Sequence, residues 1–297
     1  MITGYFRINQ TRYSLKRLIL ETLFYGWLSV IVVIVIKLCG CSVDINSGII
    51  VSLLLLPVST GYWFVTVYVL IMLASPALNA FLRRMNRRGF LLYLGVFWVC
   101  WLVFASFLNI QYTDLFRGVF SYSVGAFCKL YLPCSQSKER KWNVLVAIVF
   151  WFLGAASFYA TSVANLNPDC MLSEVTIRLG RVVYRSVVSP VCAFAIFRIF
   201  ESIDIGYNSL INRVGSTTLG VYLISDSGIL RDIIWHDIFN VGVLYAKTLF
   251  PLYACIIIAV VFFICSFIDY LRIKFIEPIL LKMTDKVLVK VCQWGQK

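Results

Sequence analysis

The sequence has few charged residues and only one histidine. Charged side chains make up 14% of the 297 residues, whereas hydrophobic ones make up 61%. So small a polar fraction cannot cover the surface of a soluble globule of this size, and no polar stretch is long enough for a soluble domain. Apolar runs of the length that crosses a bilayer recur along the whole chain. The composition therefore predicts an integral membrane protein.

Acidic residues are also scarce, with 14 against 27 basic ones and a formal net charge of +13. The basic residues are spread over several short segments, without a basic groove or an aromatic platform for stacking bases. We interpret them as contacts with anionic lipid headgroups and expect membrane lipid, not nucleic acid, as a partner.

The ten cysteines lack the spacing of a metal or redox site, and the lone His236 cannot build a histidine cluster. We therefore predict no metal and no bound cofactor. Half of the cysteines fall within apolar runs, where cysteine acts as a small hydrophobe: Cys100, Cys128, Cys192, Cys255 and Cys265. Cys39, Cys41 and Cys170 fall on the predicted outer side, where an oxidising exterior would permit a disulfide.

Eight apolar runs are long enough to cross a bilayer, so the predicted fold is an all-α, polytopic membrane helical bundle with about eight transmembrane helices. The predicted spans are 18–36, 62–82, 90–110, 115–132, 142–161, 182–200, 214–230 and 249–270. Residues 48–57 form a run too short to cross and predict an interfacial or re-entrant segment. We expect one domain over residues 1–297, ending in a cytoplasmic basic tail at 271–297.

The distribution of lysine and arginine predicts the orientation. Most of the 27 basic residues fall on one side of the membrane if the N-terminus is cytoplasmic. The positive-inside rule then places both termini inside.

Three segments of the sequence are candidate functional sites. Tyr62 and Trp63 stand at the outer end of a span whose inner half we expect Pro76 and Asn79 to break; an aromatic belt anchor with a proline kink is the simpler interpretation. Polar residues also end the span at 214–230 on the outer side, where they could line a polar cavity or a loop: Asp226, Arg231 and Asp232. The basic residues near the N-terminus could bind a ligand or simply contact headgroups.

Several segments of the sequence, taken in order, resemble those of one protein family. They are GYFRINQTRYSLKRLILETLFYGW, LLLLPVSTGYWFVTVYVLIMLASPALNAFL, FSYSVGAFCKLY, SPVCAFAIFRIFESIDI, NRVGSTTLGVYLISDSGILRDIIW and CSFIDYLR. They look like the bacterial membrane acyltransferases of the acyltransferase-3 type, especially those of surface-polysaccharide clusters. The resemblance covers essentially the whole chain, and YWFVTVY and GVYLISDSG are its more specific phrases.

The resemblance also shows two departures. Family members have about ten spans, and the phrase ITGYF comes at the end of their second one, where it forms a turn. We therefore expect an N-terminally shortened relative without the helix that carries the family's arginine and histidine. In addition, Ser225 stands where many relatives have a histidine. Both departures weaken the expectation that the chain as given transfers an acyl group by itself, while its ancestry in the family stays well supported.

The resemblance implies an O-acyltransferase of the bacterial inner membrane that moves an acetyl or other acyl group from cytoplasmic acyl-CoA to a sugar hydroxyl of a cell-surface or lipid-linked polysaccharide. The residues that we expect to bind acyl-CoA are Arg12, Lys16 and Arg17, whose charges suit CoA phosphates. For the acceptor glycan we expect Tyr62, Trp63 and Tyr68, and for catalysis Asp226, Arg231 and Trp63.

On a continuing helix Asp226 and Arg231 would point about 140° apart. The two need not pair with each other, and we expect Arg231 to meet a group on another helix, with Trp63 as the stacking candidate. Two alternatives stay open: an inactive relative or membrane scaffold, and a transporter or flippase of glycan export. A flippase would be expected to show repeat symmetry, and the sequence has no convincing internal repeat.

Overall fold

The computed structural model describes residues 1–10, 15–39, 62–107, 113–133, 137–165, 171–204, 206–227, 230–244 and 249–294. Within these ranges the chain is helical and contains no strand, which confirms the all-α prediction. The predicted segment at 48–57 lies outside the described residues, as do Arg12, Cys41 and Cys170. Cys39 is a free thiol.

The helices are numbered in chain order. They are α1 (Ile2–Arg7), α2 (Lys16–Leu38), α3 (Trp63–Arg83), α4 (Arg87–Phe107), α5 (Thr113–Tyr131), α6 (Ser137–Asn165), α7 (Met171–Val183), α8 (Ser189–Glu201), α9 (Ser209–Ser225), α10 (Leu230–Asp232), α11 (Val241–Leu244), α12 (Phe250–Leu271) and α13 (Glu277–Trp294). Short π-helical segments follow three of them, at Tyr184–Val188, Ile233–Ile238 and Arg272–Ile276.

Five helical stretches within the described ranges are long and apolar enough to cross a membrane. They are Lys16–Leu38, Trp63–Arg83, Lys138–Asn165, Ser173–Glu201 and Leu252–Lys286. Each contains one of the predicted spans almost completely. The other three predicted spans coincide largely with α4, α5 and α9. The multi-pass membrane fold is therefore confirmed, and the count of eight spans stays a prediction.

The prediction that Pro76 and Asn79 break their helix is wrong, because α3 continues without interruption to Arg83. Proline has no N–H to offer the carbonyl four residues earlier, which here belongs to Met72. The hydroxyl of Ser75 donates to that carbonyl at 2.7 Å. A side chain thus replaces the backbone donor that Pro76 lacks, and the helix tolerates the proline.

The chain divides into two compact units. Unit 1 comprises Met1–Tyr13 and Leu70–Ile205, and unit 2 comprises Ser14–Val69 and Gly206–Lys297. The boundary falls within α3, whose first residues belong to unit 2. Each unit has its own apolar core, with Phe90 and Phe127 in unit 1 and Tyr62 and Leu223 in unit 2.

In unit 1 the opening residues form a helix instead of the turn that the resemblance implied. Helix α1 lies so close to α5 that a Cβ atom on Gly4 would stand 1.9 Å from the Tyr122 carbonyl oxygen, so only glycine fits there. The last turn of α1 is secured by Asn79, whose amide donates to the Arg7 carbonyl at 3.0 Å. The hydroxyl of Tyr122 in turn donates to the Asn79 side-chain oxygen at 2.8 Å. Asn79 therefore joins three helices of this unit.

Unit 2 contains α2, the first turns of α3, and α9 to α13. Helix α9 begins at a regular cap, because the Asn208 side chain accepts hydrogen bonds from the backbone N–H groups of Leu210 and Ile211. Helices α2 and α12 both contact α9. The buried face of α2 is unusually polar for a membrane span. The segment predicted as a basic tail is helical as far as Trp294, and its residues Arg272 and Glu277 are buried in unit 2.

Candidate functional site

The first turn of α3 meets the last turn of α9 in unit 2. Tyr62, just before α3, is fully buried, and its hydroxyl donates to the Leu223 carbonyl at 2.9 Å. That carbonyl lies in the last turn of α9, where no backbone N–H within the helix is left to bond it. Tyr62 therefore caps α9, and its ring is not accessible from outside the protein.

Aromatic rings extend outward from this contact. Trp63 is 46% exposed and meets Phe64 edge-on at 6.1 Å between ring centroids. Phe64 stacks on Tyr68 at 6.3 Å and meets the edge of Tyr222 at 5.6 Å. The structure thus brings the three predicted acceptor residues into one aromatic group. It also adds Phe64 and Tyr222, which the sequence analysis did not select.

Beyond the end of α9, Asp226 and Arg231 form an ion pair. Nη1 of Arg231 lies 3.8 Å from Oδ1 of Asp226, and its Nε lies 3.6 Å from Oδ1 of Asp232. A contact of Arg231 with Trp63 stays a prediction, but the expectation that Asp226 and Arg231 point about 140° apart is wrong. It assumed a continuing helix, whereas α9 ends at Ser225 and Asp226 occupies its C-cap. Once the helix ends, the rotation of about 100° per residue no longer separates the two side chains.

At the start of α2, the two described cations of the predicted acyl-CoA site are paired with acids of α13. The ammonium group of Lys16 bonds to the Asp285 carboxylate and donates to the Leu281 carbonyl at 3.2 Å. Nε of Arg17 pairs with Glu277, while most of the Arg17 side chain is exposed. These cations thus lie together at one end of unit 2, each beside a carboxylate.

A second group of charges lies one turn further along α2, buried between α2, α12 and the residues that follow α12. Arg272 is its centre: Nε donates to Asp269 at 2.6 Å, Nη1 donates to Glu277 at 3.2 Å, and Nη2 lies 3.1 Å from Glu21. The hydroxyl of Tyr25 donates to the same Asp269 oxygen at 2.7 Å. These five residues are called the Arg272 cluster below.

The Arg272 cluster is packed tightly against α9. A Cβ atom on Gly220 would stand 2.2 Å from Cγ of Asp269, so Gly220 leaves the space that the carboxylate fills. Two turns further along α2 from Glu21, the hydroxyl of Ser29 lies 3.1 Å from that of Ser227, beside the end of α9. The buried face of α2 thus carries polar side chains along its length in unit 2, from the Arg272 cluster to the neighbourhood of the aromatic group.

The predicted site residues do not include the Arg272 cluster, although the sequence contains a signal for it. Glu21 lies inside the predicted span at 18–36 and Asp269 inside the span at 249–270. A carboxylate within a membrane span is costly unless it is paired, so each one marks a buried polar site by default. Tyr25 offered no such signal, because tyrosine is common near membrane interfaces.

Unit 1 contains a cavity of about 250 Å³ with almost entirely apolar walls. Its lining includes Trp98, Phe120, Ser186 and Phe194, and none of the predicted site residues. Among the described residues no group of three histidine, cysteine or acidic side chains is arranged to hold a metal ion. That the chain needs no metal or cofactor stays a prediction.

Comparison with protein families finds a match over most of the chain. The family model described as an acyltransferase domain, of the acyltransferase-3 type, matches residues 1–270. This range includes the aromatic group, Asp226 and Arg231, and most of α2 to α12. Comparison with curated proteins and with solved structures found no match.

Proposed function

The chain belongs to the acyltransferase-3 family, and on that premise we propose that it transfers an acetyl or other acyl group from acyl-CoA to a sugar hydroxyl of a cell-surface or lipid-linked polysaccharide. The family match over residues 1–270 carries the proposal, because it identifies a membrane acyltransferase. The resemblance and the chemistry of the two ends of unit 2 together support the proposed donor, the proposed acceptor and a bacterial inner membrane location.

At the donor end, Lys16 and Arg17 supply the charge that CoA phosphates need, together with Arg12 from outside the described residues. Arg17 leaves much of its guanidinium exposed while its Nε pairs with Glu277, so it can bond a phosphate through its remaining N–H groups. Lys16 is bonded to the exposed Asp285, which a phosphate could replace at little cost.

At the acceptor end, the exposed ring of Trp63 suits the apolar face of a sugar. Phe64 and Tyr68 extend the aromatic surface, while the buried Tyr62 holds the start of α3 in place. Asp226 and Arg231 are both partly exposed at the end of α9, where a carboxylate can accept hydrogen bonds from sugar hydroxyls and a guanidinium can donate them. In this proposal Asp226 orients the hydroxyl that receives the acyl group.

The proposal predicts that Trp63→Ala and Asp226→Asn each abolish most of the transfer without lowering the amount of protein in the membrane. The loss of a hydrogen bond between a charged group and the substrate costs about 1.5–3 kcal/mol, or roughly 10- to 100-fold in rate. The assay uses membranes from cells that express the chain, radiolabelled acetyl-CoA, and lipid-linked polysaccharide from the same cells. Ester-linked label in the glycan fraction measures transfer.

Asp232→Asn is the matched control for Asp226→Asn, because Asp232 pairs with the same Arg231 but is more exposed. Trp27→Ala is the control for Trp63→Ala, since Trp27 is also exposed and lies on another span. Both controls should keep nearly full activity. Undiminished transfer by Trp63→Ala and Asp226→Asn would remove the acceptor site from this end of the protein, and label in lipid instead of glycan would exclude a polysaccharide acceptor.

A further inference from the structure

The Arg272 cluster contains more negative than positive buried charge. Its three carboxylates belong to Glu21, Asp269 and Glu277, and all three are buried. Arg272 is the buried cation among them, with 3% of its side chain exposed. Arg17 compensates Glu277 from the exposed side of the cluster, which leaves Glu21 and Asp269 to share one guanidinium.

The two carboxylates that share Arg272 are not equally compensated. Oδ1 of Asp269 accepts hydrogen bonds from Arg272 at 2.6 Å and from the Tyr25 hydroxyl at 2.7 Å. Oε1 of Glu21 lies 3.1 Å from Nη2 of Arg272, but without the alignment of a hydrogen bond. Glu21 is therefore the member whose negative charge receives the least support.

Among the described residues, the charged and titratable groups around Glu21 lie on three elements. Its own helix contributes Arg17 and Tyr25, α12 contributes Asp269, and the residues after α12 contribute Arg272 and Glu277. Helix α9 contributes the uncharged Gly220 on the far side of Asp269. A second carboxylate beside one guanidinium, out of contact with water, favours binding of a proton over an uncompensated anion.

We propose that the Arg272 cluster is a proton-binding site inside unit 2, and that Glu21 is the carboxyl group that binds the proton. Asp269 and Glu277 keep their ion pairs with Arg272 and Arg17, so two carboxylates are balanced by two guanidinium groups. The ligand of this site is a proton. The site shares Arg17 with the proposed donor site, but its tests do not depend on acyl transfer.

Infrared spectroscopy of the full chain in lipid nanodiscs tests the proposal directly, because a protonated carboxylic acid has a carbonyl stretching band apart from those of carboxylates and amides. At neutral pH we expect such a band, and isotopically labelled glutamate should shift it. Glu21→Gln should remove it. Glu174→Gln should leave it unchanged, since Glu174 is exposed and paired with Arg178 at 2.7 Å. A band that is absent, that survives in Glu21→Gln, or that shifts only with labelled aspartate would overturn the assignment.

Thermal stability at neutral pH provides a second measurement. Glutamine has nearly the shape of the uncharged acid, so Glu21→Gln should unfold at the same temperature as the wild type. Asp269→Asn should unfold at a lower temperature, because it removes the anion that Arg272 and Tyr25 bond. Equal destabilisation by both variants would identify Glu21 as an ionised partner of Arg272 and contradict the proposal. If Asp269→Asn does not fold, the infrared band of the labelled wild type still decides. Neither measurement depends on acyl transfer, so the two proposals can fail separately.

Discussion

Replacing Gly220 with alanine should break the Arg272 cluster without changing any of its charged residues. The new Cβ atom would stand 2.2 Å from Cγ and 2.4 Å from Oδ1 of Asp269, where ordinary contact begins at 3.4 Å. Asp269 would have to retreat by about 1.2 Å. Its hydrogen bonds to Arg272 and Tyr25 are 2.6 and 2.7 Å long, so a shift of this size would take both to or beyond the limit of a hydrogen bond.

The expected cost is the sum of overpacking and partial loss of a buried ion pair. Overpacking costs about 1–3 kcal/mol, and breaking a buried pair costs about 3–5 kcal/mol. Since part of each cost can be relieved by movement of α9, we expect Gly220→Ala to lower the free energy of unfolding by about 2–5 kcal/mol.

Gly215→Ala is the matched control, because Gly215 lies in the same helix and a Cβ atom there would meet nothing within 4 Å. Alanine is the better helix former, so Gly215→Ala should raise the free energy of unfolding by about 0.5–1 kcal/mol. Equilibrium unfolding in mixed micelles, followed by circular dichroism, measures both. The two substitutions are thus expected to change stability in opposite directions. If Gly220→Ala were as stable as Gly215→Ala, the tight contact between α9 and Asp269 would be refuted.

Three further predictions concern other parts of the chain. Ser75→Ala should lower the free energy of unfolding by about 1–3 kcal/mol, because it leaves the Met72 carbonyl without a donor; the same unfolding assay measures it, and no loss would show that the carbonyl needs none. Arg17→Ala should raise the KM for acetyl-CoA by roughly 10- to 100-fold with little change in the KM for the glycan. If the KM for acetyl-CoA did not change, Arg17 would contribute only to the orientation of the chain in the membrane. In an otherwise cysteine-free chain, Cys39 should react with an impermeant thiol reagent on intact cells, whereas Ser209→Cys should react only after permeabilisation; the reverse pattern would invert the predicted orientation.

The membrane fold could be predicted from the sequence because hydropathy is a local property. The bilayer requires about 20 apolar residues in a row, and each such run satisfies its own backbone hydrogen bonds as a helix. The predicted spans at 18–36 and 62–82 therefore lie within α2 and α3 to a few residues. Pro76 and the nearby Asn79 predict a break in α3, but the helix continues because the Ser75 hydroxyl donates to the Met72 carbonyl. The sequence does not show this bond, because it depends on the rotamer of the Ser75 side chain.

The candidate site could be predicted only in part. Tyr62, Trp63 and Asp226 were selected from their position at the ends of spans, and the structure brings them to one end of α9. Their individual roles depend on burial, which the sequence does not report: Tyr62 is enclosed and caps a helix, while Trp63 is exposed. The pairing of Asp226 with Arg231 depends on the residue at which α9 ends.

The sequence by itself determined the all-α membrane architecture, the family and the approximate spans, because each follows from the order of residues along one stretch of chain. The tertiary structure decided which charges meet. Tyr25 and Asp269 are 244 residues apart, and Arg272 joins Glu21 to Asp269 across the two helices. Inside a bilayer a charge is stabilised only by what lies within a few ångströms of it. That neighbourhood exists only when α2, α9 and α12 are packed together, so no pattern along the chain could reveal the Arg272 cluster as one group.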